Sequence, residues 1–121
     1  MEYKDYNDFE LLEYIAENND DAINIMYKKY EPLIIGIAKK MSKYTQGTGL
    51  ELNDLIQEGM LGLSNAIDGF TYSKEASFYT YAKTCIERKI LSQIVSTTRL
   101  KRKILNESIS LEMADENGQI K

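Results

Sequence analysis

The residues best suited to chemistry in this chain are aromatic and basic, and they adjoin one another. Within FTYSKEASFYTYAKTCIERKI (70–90), Phe78, Tyr79 and Tyr81 fall inside four positions. Residues 83–103 then carry seven bases (Lys83, Arg88, Lys89, Arg99, Lys101, Arg102 and Lys103) and one acid, Glu87, for a net charge of +6. A surface aromatic ring stacks on an unpaired base for about 1–3 kcal/mol, and cations beside it follow the phosphates. One helix face cannot bury all three rings. At about 100° per residue, Phe78, Ala82, Cys85, Ile86 and Ile90 gather into a core stripe. Tyr81, Thr84, Arg88 and Leu91 form a second stripe, rotated from the first by roughly 100° or more. Tyr81 therefore points away from the core, beside Arg88. Two readings stand: a platform for a flat base, or a ring covering a helix junction with the lysines simply solvated.

A second candidate surface lies upstream, in NDLIQEGMLGLSNAIDGF (53–70). Leu55, Ile56, Gly59, Leu63, Ala66 and Ile67 suit the buried stripe of a helix. Gly59 and Gly62 sit in mid-helix, where each costs roughly 1 kcal/mol relative to Ala, so another helix must approach closely there. The opposite face carries Asp54, Gln57, Glu58, Met60, Leu61 and Ser64. It reads either as a solvated face with stray apolar residues, or as a docking face with Met60 as an adaptable contact.

Helices must position both surfaces. Asn7 or Asp8 caps a first helix, and Asp20 or Asp21 a second. Pro32 is expected to kink that second helix or split it in two. TQGTG (45–49) is a loop, a third helix covers about 52–69, and a second loop covers Thr71 to Ala76. Ser77 caps the fourth helix, about 77–98. From Arg99 the chain is basic, then acidic, and is expected to be extended or only partly ordered. The fold class is all-α, a compact bundle of four to five helices over residues 1–98, with 99–121 as the start of a linker.

The totals agree. The 121 residues suffice for one domain with a real core, and 43% hydrophobic with 28% charged residues is a soluble globular composition. The net charge of −4 argues against a simple DNA-coating protein, but it is unevenly spread: residues 1–21 hold eight acids and one lysine. Cys85 is the single cysteine, which excludes an intrachain disulfide, fits a reducing cytoplasm and reads as a buried core thiol. With no histidine and no cysteine cluster, a zinc site is not expected. The longest apolar run, PLIIGIA (32–38), is far short of a membrane span, and the acidic N-terminus is not a signal peptide. No nucleophile–base pair or phosphate loop accompanies the carboxylates, so an enzyme is a poor reading and no cofactor is expected. GLSNA (62–66) lacks the strand–turn–helix context of a nucleophile elbow.

DLIQEGMLGLSNAIDGF, then TYSKEASFYTYA, then IERKI resembles region 2 of bacterial RNA polymerase sigma factors of the sigma-70 family, without a gap from about Asp54 to Arg99. The likeness extends more loosely back to Ala22, where AINIMYKKYEPLIIGIAKKM looks like the preceding helix pair. AKTCIERKILSQIVSTTRLK and SISLE look most like the sigma-H subgroup of alternative factors. The resemblance implies a non-enzymatic promoter-specificity subunit acting in the cytoplasm. It implies docking of Asp54, Gln57, Glu58, Met60, Leu61 and Ser64 on the clamp helices of the largest core RNA polymerase subunit. It implies that Tyr81 stacks the flipped adenine of the minus-ten element's non-template strand, with Phe70, Lys74, Phe78 and Thr80 around the pocket. Thr84, Arg88 and Leu91 would meet the upstream duplex edge, and Lys83, Lys89, Arg99, Lys101 and Arg102 its phosphates. Anti-sigma factors are a further class of partner that the resemblance allows.

Three departures stand out. Housekeeping members carry two tryptophans where this chain has Thr84 and Cys85, which implies weaker melting. Glu87 replaces a usual base and would repel phosphate. Region 4, the helix-turn-helix domain for the minus-thirty-five element, is absent, so the chain is expected to be a truncation. Thr84 and Cys85, together with the net acidity, motivate a second function: a regulator or decoy that docks on polymerase without opening promoters.

Overall fold

The computed structural model describes residues 7–71 and 77–117, the last ten (108–117) as backbone alone. Among the described residues four helices follow in order: α1 (Asp8–Ala16), α2 (Asp20–Met41), α3 (Leu52–Gly69) and α4 (Phe78–Asn117), with a 3₁₀ turn, Ser42–Tyr44, after α2. Their starts have local causes. Asn7 Oδ1 accepts the Glu10 N–H at 2.8 Å and opens α1. Asn19, not Asp20 or Asp21, caps α2: its Oδ1 accepts the Asp21 and Ala22 N–H groups at 3.0 and 3.3 Å. Asp20 and Asp21 instead lie in the first turn, where their charge meets the positive end of the helix dipole. The preceding Asn18 takes φ +63°, a left-handed conformation that asparagine tolerates and that turns the chain between helices. Ser77 Oγ accepts the Thr80 N–H at 3.2 Å and opens α4.

Pro32 does not split α2, which runs unbroken from Asp20 to Met41. The lost backbone donor falls on an exposed side of the helix, while Tyr30 and Ile34, both buried, hold the turns on either side of it. Nor does the chain become extended at Arg99: α4 continues to Asn117. No glycine or proline interrupts residues 78–117, and Lys101 Nζ donates to the Gly47 carbonyl, fastening the extension to the 45–49 loop.

The core is one cluster shared by all four helices. Leu11, Met26, Ile34, Leu55, Leu63, Phe78, Ile86 and Ile90 are its largest fully buried side chains, each worth about 1.5–3 kcal/mol of burial. α4 packs chiefly along α3, and the two mid-helix glycines explain how closely. A Cβ on Gly62 would stand 2.9 Å from Ile86 Cα and 3.0 Å from the Cys85 carbonyl. One on Gly59 would stand 2.6 Å from Ile34 Cγ2 and 3.2 Å from Ile90 Cδ1. At the other end of the bundle, Asp8 ties α1 to α2, accepting from Lys29 Nζ and from the Tyr30 hydroxyl, both at 2.6 Å. Burial, together with the Asp8 carboxylate, pushes the Tyr30 phenol well above the usual tyrosine range, so it stays protonated and donates.

Candidate nucleic-acid and protein interfaces

The three clustered rings go to three places. Phe78 is buried at 1% exposure and stands edge-on to Tyr30, ring centroids 5.7 Å apart. Tyr79 is 49% exposed, beside Tyr30 at 6.2 Å. Tyr81 lies against Phe70, centroids 5.5 Å apart with the rings tilted by 50°. Phe70, the C-cap residue that follows α3, in turn stands edge-on to Phe78 at 5.3 Å. A line of aromatic contacts thus runs from Tyr81 at the surface, through Phe70 and Phe78, to Tyr30 and its Asp8 anchor. Phe9 of α1 adds a ring 6.5 Å from Phe70.

Tyr81 does not point clear of the core as helical spacing predicted. It is half-buried and packs on the core's edge, because the end of α3 lies alongside it. Cys85, one turn on, is half-buried beside the core and is not the fully buried thiol expected. The thiol beside it, then burial, raise the Tyr81 pKa, so the ring is neutral and keeps its hydroxyl proton. A neutral ring, braced from beneath and partly open above, can stack a flat, uncharged base.

Along α4, Thr84 is half-buried and its Oγ1 donates to the Thr80 carbonyl at 3.1 Å. Thr80 itself shares a hydroxyl contact with Ser77 at 3.1 Å, so it belongs to the helix cap beside the platform. Arg88 is exposed and Leu91 is 47% exposed, as the second stripe requires. Exposed Val95 continues that stripe four residues after Leu91, a position that the sequence spacing could have supplied. Lys83, Arg99, Lys101 and Arg102 are exposed, with Lys101 already bonded to Gly47. Lys74 lies outside the described residues. Phe78 cannot touch a ligand from its buried position and acts as the floor beneath Phe70.

Glu87 lines a cavity of ≈ 190 Å³ with Lys40, Lys43 and Lys83, and it stands one turn before Leu91 on α4.

On α3, Asp54, Gln57, Glu58, Leu61 and Ser64 follow one side of the helix at i, i+3, i+4, i+7 and i+10, with Leu61 53% exposed. Met60 is half-buried and packs partly on the core, so Leu61 is the main apolar contact of this face. Asp54 is partly committed: its Oδ2 accepts the Glu51 N–H at 2.8 Å, capping α3. The Glu58 carboxylate faces Lys89 of α4 at 3.7 Å. Among the described residues, no helix is long and apolar enough to cross a membrane.

Comparison with known proteins identifies the family. Residues 26–100 match the family model described as Sigma-70 region 2. The chain is 34% identical over 105 residues to an RNA polymerase sigma-H factor of Bacillus licheniformis, covering 87% of this chain and 45% of that protein. It is likewise 34% identical to the sigma-H factor of Bacillus subtilis (strain 168), over 87% of this chain and 46% of that protein. It is 40% identical over 86 residues to the RNA polymerase sigma factor SigA of Mycoplasma genitalium, over 71% of this chain and 16% of that protein. The chain spans less than half the length of the sigma-H factors that it matches. A bundle that sets the DLIQEG helix against an aromatic-headed basic helix, together with a family match over most of its length, makes this chain a member of the sigma-70 family.

Proposed function

We propose that this chain is the promoter-recognising part of an alternative sigma factor, docking on core RNA polymerase in the cytoplasm through α3 and engaging the minus-ten element through α4. The observation that carries the reading is Tyr81 laid on Phe70 at the head of the basic helix. Such a ring offers one face to an extruded adenine while the protein braces the other. Extruding a base costs a few kcal/mol, and a platform formed in advance offsets part of that without ATP. Arg88, Leu91 and Val95 then lie where the duplex edge would pass. Leu91 suits a thymine methyl, and Arg88 a base edge or a phosphate. The small, half-buried Thr84 and Cys85 supply no bulky wedge, which fits a factor that depends on a good promoter match.

The test is retention on core RNA polymerase, followed by open-complex footprinting. Retention that Glu58→Lys abolishes, with opening that Tyr81→Ala weakens, supports the reading. Retention with no Tyr81-dependent opening would make the chain a docking regulator or decoy instead. No retention at micromolar concentration would overturn both.

A further inference from the structure

We propose that Gly69, the last residue of α3, is the positioning residue of the base platform: its lack of a side chain is what lets the Tyr81 phenol lie down across the helix end. A Cβ built on Gly69 would stand 2.9 Å from the Tyr81 hydroxyl, and among the described residues nothing else comes within 4 Å of it. This separates Gly69 from Gly59 and Gly62, whose added Cβ atoms would strike packed isoleucines or backbone. At Gly69 the cost falls on the orientation of one ring. The backbone there does not require glycine, since its φ is not positive, so alanine fits the helix end and adds helix propensity. The position is also exposed, so no core volume explains the glycine.

With a methyl group at 69, the phenol must lift away from α3 to restore ordinary contact. The ring lies against Phe70, centroids 5.5 Å apart, so lifting its hydroxyl end changes its tilt on Phe70. A tilted platform overlaps less with a stacked base. Gly69 touches no base in this scheme; it acts through Tyr81.

The inference rests on the stacking role of Tyr81, and the experiment separates the two. The chain is assembled with core RNA polymerase. A non-template strand is selected on this complex from a random pool and labelled with 2-aminopurine at its captured adenine. Affinity and fluorescence quenching are read for the wild type, Tyr81→Ala, Gly69→Ala, Tyr81→Phe and the double variant Gly69→Ala/Tyr81→Phe. Gly69→Ala is expected to weaken strand binding about fivefold, the low end of one lost stack, and to reduce quenching. The decisive comparison is the cost of Gly69→Ala within the Tyr81→Phe background. That cost should vanish, because the hydroxyl that the methyl group meets is gone. If Tyr81→Ala binds like the wild type, the stacking role itself fails. If Tyr81→Ala weakens binding but Gly69→Ala does not, or Gly69→Ala costs the same beside Tyr81→Phe, the positioning role is overturned while stacking stands.

Discussion

The Lys89 ammonium lies 3.7 Å from the Glu58 carboxylate, joining the α3 face assigned to polymerase to the helix assigned to DNA. Both side chains are partly exposed, so the pair contributes at most about 1 kcal/mol. Glu58→Lys replaces this attraction with a repulsion on the proposed docking face. We expect polymerase retention to fall sharply while circular dichroism keeps its helical signal. Lost helicity would mean that Glu58 holds the bundle, and the docking assignment would go with it.

Tyr81→Ala removes the platform but leaves α3 untouched. Binding to core polymerase should be unchanged, and the open complex should weaken by about tenfold or more, matching the loss of one base stack. Permanganate footprinting of the minus-ten strand reads this directly. Unchanged reactivity there would remove Tyr81 from the site.

Gly62→Ala tests the close approach of α3 to the α4 backbone. Its Cβ would press on Ile86 Cα and the Cys85 carbonyl, backbone that can yield only if α4 moves. We expect a net loss of about 1–3 kcal/mol despite the better helix propensity of alanine, seen as a lower Tm. A raised Tm would show that α3 and α4 part easily. The same substitution at Gly69 should not lower Tm.

Tyr30 sets a pH dependence. Burial and Asp8 raise its folded pKa above the unfolded value of about 10. A phenol whose folded pKa is raised favours the native state at low pH. Its contribution is therefore constant below about pH 10 and declines as pH rises beyond it, because the unfolded chain then loses the proton first. Urea unfolding between pH 7 and 11 should show this decline in the wild type. Tyr30→Phe should be about 1 kcal/mol less stable at pH 7, having lost the bond to Asp8, and should show a shallower alkaline fall. Parallel curves would place the alkaline sensitivity elsewhere.

Helix number and most helix limits were legible in the chain, because their causes are local. Asn7 and Ser77 cap through atoms within three residues of themselves, and the α3 span of 52–69 follows its apolar period. Gly59 and Gly62 announced close packing because mid-helix glycine is costly and needs a reason. Periodicity also placed Phe78 inward and Leu91 outward. Pro32 does not split α2, because a single lost bond on a solvent face is cheaper than unpacking Tyr30 and Ile34. The tail from Arg99 misled because charge was read as disorder, although its residues are good helix formers.

The state of Tyr81 was beyond the sequence for a different reason. Helical spacing gives the direction in which a side chain leaves its own helix, and says nothing of what another helix brings to meet it. The end of α3, with Gly69 bare and Phe70 turned under the ring, decides that Tyr81 lies down instead of standing out. Composition and period determined an all-α bundle of four to five helices and two candidate surfaces; the packing of α3 on α4, which depends on contacts far apart in sequence, determined how those surfaces are shaped.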